Sequence, residues 1–239
     1  MELLGGGFKW IILEISMNHS EKFIWLTIFV IETIFIVFTR VILSYYWSYS
    51  MEAELIRTLF RLIAVFIYWH LLSDFIKSKH VTNTSVLQPA LLFPLALFLT
   101  VPLLVGDLSY MTTTTRMIYA VTSVAVALKE EITFRALIQN LLATRFGNLL
   151  AIFLTTILFT AYHIGVIPQS LFAYGQVIFA SLLLGIVYVR IRNLWLVVWL
   201  HTMYDALWSA TPVFSPPLPY SVGLGVLFAS VLLVACWGR

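Results

Sequence analysis

The sequence predicts an all-α, polytopic membrane helix bundle of about eight spans, on the strength of composition, apolar run length and punctuation. Of 239 residues, 61% are hydrophobic and only 10% are charged, against roughly 25% charged in an ordinary soluble domain. So few charges cannot cover a water-exposed surface, which implies a surface built for lipid. The apolar runs reach spanning length repeatedly, and the breaks between them are too short to be domain linkers. A single transmembrane domain over residues 1–239 is therefore expected.

The elements follow in order. Phe8–Ile15 is too short to span, and Glu2, Glu14 and Glu21 spoil it as a signal peptide, so it reads as an interfacial segment. Hydropathy then gives spans at Lys22–Leu43, Leu55–Ile76, Val86–Val105, Arg116–Leu142, Leu149–Ile167, Leu171–Ile191, Leu194–Ala210 and Leu218–Trp237. Turn-forming or charged groups separate them, including Lys77-Ser78-Lys79, Gly106-Asp107, Arg145-Phe146-Gly147-Asn148, Arg190-Ile191-Arg192-Asn193 and Ser215-Pro216-Pro217. Pro89, Pro94 and Pro102 should make the third span irregular. The sequons at Asn18 and Asn83 read as chance matches in loops.

Charge placement sets orientation and excludes some functions. The formal net charge of +3 comes without a Lys/Arg cluster, so no nucleic-acid partner is expected. With the N-terminus cytoplasmic, that side holds Lys9, Lys22, Lys77, Lys79, Arg145, Arg190, Arg192 and Arg239, while Arg116, Arg40 and Arg57 lie towards the other. The positive-inside rule thus puts both termini in the cytoplasm, which requires an even number of spans. In a prokaryote the location would be the plasma membrane. Cys236 is the only cysteine, which excludes an internal disulfide and a thiolate metal cluster and leaves it a packing role.

Ionisable residues at bilayer depth are costly, by roughly 2.5–3.5 kcal/mol on insertion scales, so each calls for a role. Glu32 and Arg61 are expected to pair between the first two spans, and Lys129 needs an acidic partner that the sequence does not name. The rest fall on three spans. Glu131 and Arg135 stand four apart, share a helix face and can pair, whereas Glu130 points about 100° away and stays free. Phe159 and His163, and His201 and Asp205, repeat the four-residue spacing. At about 1.5 Å per residue, all can meet near mid-membrane. Carboxylates and imidazoles converging in an apolar bundle point to hydrolysis. Glu130 with a histidine would deprotonate water, and the other histidine would donate to an oxyanion.

The ordered set Glu130-Glu131-xxx-Arg135, Phe159-xxx-His163 and His201-xxx-Asp205 resembles the CPBP (ABI) family of CAAX prenyl endopeptidase-like and bacteriocin-processing intramembrane proteases. The resemblance spans about Leu128–Leu207. It implies a glutamic-type intramembrane endopeptidase without a cofactor. By motif position, Glu130 and His163 would activate water, and His201 and Asp205 would serve the oxyanion. Glu131, Arg135 and Phe159 would support them. Two departures stand out: Ala136 where many members carry Gly, and Asp205 where processing members usually carry Asn. An ionised Asp205 would repel an oxyanion, so its expected role is to orient His201.

The same residues admit other chemistries. A metal ion such as Zn²⁺ could be held by Glu130, His163, His201 and Asp205, although HExxH is absent. A non-catalytic peptide-binding or self-immunity protein would keep the same residues for recognition. No GxSxG motif supports a serine protease, and Leu104-Val105-Gly106-Asp107 lacks the first glycine of an aspartyl GxGD motif. A transporter would show paired half-spans, which are missing. The expected partners are membrane lipid and a peptide or protein substrate, with or without a lipid modification.

Overall fold

The computed structural model describes residues 18–47, 50–79, 89–106, 111–167, 170–210 and 218–237. Phe8–Ile15, Asn83 and Asp107 lie outside them. All regular structure among the described residues is helical: α1 His19–Tyr45, α2 Met51–Lys79, α3 Pro89–Val105, α4 Thr113–Glu131, a π-helical segment Ile132–Gln139, α5 Asn140–Tyr162, α6 Leu171–Ile191, α7 Leu194–Ala210 and α8 Tyr220–Cys236. Four helical units are long and apolar enough to cross a membrane: α1, α2, the run Thr113–Tyr162, and α6. Among the described residues there are thus eight α-helices, of which the expected eight spans find four units of full spanning length.

Local chemistry explains where these helices start and stop. Asn18 caps α1 by accepting from the Glu21 amide at 2.8 Å, with Glu21 favourably placed in the first turn. Thr112 caps α4, Ser170 caps α6, and the Asn193 side chain accepts from the Leu196 amide at the start of α7. Gly147 breaks the long run within the predicted Arg145–Asn148 punctuation. Its φ of 75° and ψ of 165° kink the chain there, in a region that L side chains rarely adopt. α3 carries Pro94 and Pro102 inside one continuous helix.

The helices pack so that α4 lies along α7, α3 along α7 and α8, α5 along α6, α6 along α8 and α2 along α4. Phe98, Val101, Leu183, Val197 and Leu227 are fully buried between them. Phe98 stacks on Tyr204 with ring centroids 4.3 Å apart. Large apolar side chains also point outwards, with Phe29 69% and Val121 74% exposed, as a lipid-facing surface requires. With lipid outside, the burial of apolar groups does not drive helix association; close packing and polar contacts do. Gly223 is one such close approach, since a Cβ there would meet Val105 at 2.9 Å.

Two expectations need correction. Cys236, expected to pack, is exposed on α8. Glu32 and Arg61 do not pair. Arg61 reaches Glu54 on its own helix at 2.6 Å, while Glu32 pairs with Lys129.

Candidate active site

α4 ends on Lys129-Glu130-Glu131, and the π segment begins at the next residue. π geometry is rare and often accompanies functional sites. Polar side chains fix it here: Gln139 Nε2 donates to the Gly185 carbonyl at 3.0 Å, and Asn140 Nδ2 donates to the Ala136 carbonyl and the Tyr188 hydroxyl. Arg135 and Glu131 are both fully buried, and Arg135 Nε donates to Glu131 Oε2 at 3.1 Å, as their spacing predicts. Arg135 Nη2 also reaches Ser181 on α6 at 3.2 Å. The second oxygen of Glu131 has a role that spacing did not reveal, because it lies 2.8 Å from His201 Nδ1 on α7.

Glu130 is different. Its Oε2 is buried and has no hydrogen-bond partner among the described residues. It stands 3.9 Å from Nε2 of His163 and 3.9 Å from Nε2 of His201. Both distances are too long for a direct hydrogen bond.

Each imidazole is fixed through its far nitrogen. His163 Nδ1 lies 2.7 Å from the Phe159 carbonyl oxygen, which can only accept, so Nδ1 donates and a neutral ring turns the Nε2 lone pair towards Glu130. His201 has a carboxylate at either nitrogen, Glu131 at Nδ1 and Asp205 at 3.4 Å from Nε2. Those two contacts are satisfied together only when both nitrogens carry hydrogen. Asp205 therefore touches the nitrogen that faces Glu130, while Glu131 holds the nitrogen that orients the ring. Phe159 packs against both imidazoles, with centroids 4.5 Å from His163 and 6.3 Å from His201, and beneath Arg135.

His163 does not lie inside a helix, as the hydropathy run implied. It is the residue after α5, which stops at Tyr162, and the chain then turns through Gly165 at φ 75°. Arg40 of α1 holds this turn by donating to the Ile164 carbonyl at 3.1 Å. The signal was present in Gly165 and Pro168, which are helix-ending residues that an averaged hydropathy run conceals.

Two further polar clusters adjoin the site. Lys129 pairs with Glu32 and donates to the Tyr162 hydroxyl at 2.8 Å, while Glu32 also accepts from Tyr68 at 2.8 Å and Thr133 at 3.0 Å. Glu54 accepts from Arg57, Arg61 and Thr122. Their i, i+3 and i+7 spacing along α2 was readable as one face, but the contact with Thr122 was not. A cavity of about 190 Å³ opens beside this second cluster and is lined by Arg40, Arg57, Arg61, Phe35, Glu130 and His163 among others. No group of three His, Cys, Asp or Glu side chains among the described residues is arranged to hold a metal ion.

Residues 112–207, which run from the cap of α4 through most of α7, match the family model described as Rce1-like, Type II CAAX prenyl endopeptidase Rce1-like. The match covers all three motifs and bears out the resemblance they carry. No curated protein and no solved structure matches the chain.

Proposed function

We propose that the chain is a glutamate-type intramembrane endopeptidase that hydrolyses a peptide bond in a membrane-associated peptide or protein. The observation that carries this reading is the unpartnered Oε2 of Glu130, buried 3.9 Å from each of two imidazoles. An unsatisfied buried carboxylate oxygen is costly unless something occupies the gap. A water about 2.8 Å from both the carboxylate and an imidazole fits such a separation.

In this reading the water donates one hydrogen bond to Glu130 and one to His163 Nε2. Its oxygen attacks the carbonyl carbon of the scissile bond as Glu130 takes its proton. The carbonyl oxygen becomes an oxyanion, which accepts from His201 Nε2–H. The C–N bond then breaks, the leaving nitrogen takes the proton from Glu130, and a carboxylic acid and an amine result. Glu131 holds His201 in register, Arg135 and Ser181 hold Glu131, and Phe159 supports both rings. Asp205 keeps hydrogen on His201 Nε2 rather than aligning the ring. Activity of the purified protein after exhaustive chelation separates this reading from a metal-dependent one.

Both termini facing the cytoplasm is part of the same proposal. Arg145 pairs with Glu21 at 2.8 Å near the start of α1, and Arg190 donates to the Ala235 carbonyl near the end of α8, so cations stand beside both of these helix ends, as that orientation requires.

The test is mass spectrometry of membrane peptides from cells carrying the wild-type protein, Glu130→Ala or His163→Ala at matched protein levels. Products present with wild type and absent with both variants are expected. Products that persist in both would overturn hydrolysis at this site. A cellular phenotype intact in Glu130→Gln would favour recognition without cleavage.

A further inference from the structure

A water held between Glu130 and His163 needs those two groups at a fixed separation, yet the helices that carry them do not lie along one another. Among the described residues α4 packs along α7 and α2, whereas α5 packs along α6 and the π segment. His163 also follows the last residue of α5, and helix ends open more readily than helix middles. The residues immediately before the two groups supply what backbone packing does not. Lys129, which precedes Glu130, donates to the hydroxyl of Tyr162, which precedes His163, at 2.8 Å. Lys129 is fully buried, and its ammonium pairs with Glu32 of α1. Its Nζ stands 4.3 Å from the centroid of the Phe35 ring and 4.5 Å from that of Tyr162. Phe134 of the π segment meets the Tyr162 ring edge-on, with centroids 5.5 Å apart.

We propose that the Lys129–Tyr162 hydrogen bond, anchored by Glu32, is a strut that sets the gap between Glu130 and His163, which makes Lys129 and Tyr162 positioning residues for the attacking water. This rests on the peptidase reading for its effect on turnover, but not for the geometry it maintains. Tyr162 cannot move away from α4 without leaving a buried ammonium short of a partner, which is costly. The aromatic rings around Nζ favour the cation where it stands and limit its other positions. Through Glu32 the strut also ties α1 to the site, although α1 lies outside the matched residues 112–207. Tyr68 provides the internal comparison. It donates to the same Glu32 at 2.8 Å from α2, and it has no hydrogen bond to Lys129 or Tyr162 among the described residues.

The experiment uses the full chain in lipid nanodiscs and reads two quantities, turnover and the Glu130–His163 separation. Turnover is followed with one quenched fluorescent nonapeptide, chosen from a random set as the one that the wild-type chain cleaves fastest. In Tyr162→Phe, kcat should fall by about tenfold to 10²-fold, the scale of a catalytic group misplaced by up to about 1 Å, with KM within about twofold. Tyr68→Phe removes a hydroxyl from the same carboxylate and should keep kcat within about twofold. Glu32→Leu combined with Lys129→Met removes the donor and its counter-charge together, so it should lose kcat as Tyr162→Phe does while keeping the fold. In crystals grown from a lipidic mesophase, the 3.9 Å separation should lengthen by about 1 Å in Tyr162→Phe and in the double variant, and not in Tyr68→Phe. The double variant decides the matter if Tyr162→Phe proves poorly folded.

An unchanged separation in both Tyr162→Phe and the double variant would overturn the strut. So would equal losses of kcat in Tyr68→Phe and Tyr162→Phe, which would make the whole cluster a general support. A rise in KM at constant kcat would overturn it too, by assigning Tyr162 to the wall that binds peptide. The two readings fail separately. A wild-type chain that cleaves no peptide, with the separation lengthened in the variants, sustains the strut and removes the peptidase reading. Cleavage that both variants leave intact, at an unchanged separation, does the reverse.

Discussion

Glu32 and Glu130 lie in neighbouring polar clusters of one bundle, yet their surroundings are opposite. Glu32 is saturated: Lys129, Tyr68 and Thr133 all donate to it. Glu130 has one oxygen with no partner and two imidazoles standing off at 3.9 Å. A carboxylate whose lone pairs are filled by the protein holds helices together, and one left unfilled in a buried cleft is available to a reactant. Adjacent residues divide in the same way, with Lys129 and Glu131 committed and Glu130 between them open.

Substitutions separate the two kinds of carboxylate. The largest effect is expected on activity in Glu130→Gln, a fall of about 10²–10⁴-fold with unfolding temperature unchanged or raised. A comparable loss of stability instead would make Glu130 structural. Glu32→Ala should do the converse, leaving Lys129 buried without a counter-charge at a cost of about 3–5 kcal/mol in thermal or denaturant unfolding. Glu32→Leu combined with Lys129→Met should recover most of that stability. If the double variant is as unstable as the single, the Glu32–Lys129 pair is not the source of the loss.

Glu131→Gln lies between the extremes. It weakens the contact that fixes His201, and a misplaced catalytic ring costs about 10²-fold. The loss should appear in turnover more than in substrate binding. Asp205→Asn should matter least. Asp205 itself is 32% exposed where it meets His201, and solvent-screened pairs contribute at most ~1 kcal/mol, or about fivefold in rate. A loss matching that of Glu130→Gln would move Asp205 into the reacting set.

Much of the site was legible because its residues recur four apart on helices. Glu131–Arg135, Phe159–His163 and His201–Asp205 need only helical periodicity to be placed on common faces. The bounds of α6 and α7 coincide with the hydropathy spans, since charged or capping residues mark their ends. What escaped was tertiary or conformational. Lys129 and Glu32 are 97 positions apart, and nothing in either neighbourhood names the other. The π segment Ile132–Gln139 has no apolar period to distinguish it from the α-helix it continues. The turn at His163 was hidden by averaging apolar residues across Gly165. The contact of Glu131 with His201 depends on α4 lying along α7, which no local pattern encodes.

Hydrolysis in H₂¹⁸O by the purified full-length protein in lipid bilayers tests the role of Glu130 most directly. The peptides released by membrane digestion are read by mass spectrometry for label in each new carboxyl group. One ¹⁸O per cleavage with wild type, and no labelled product with a folded Glu130→Gln variant, is the predicted result. Labelled products formed by Glu130→Gln at the wild-type rate would contradict it.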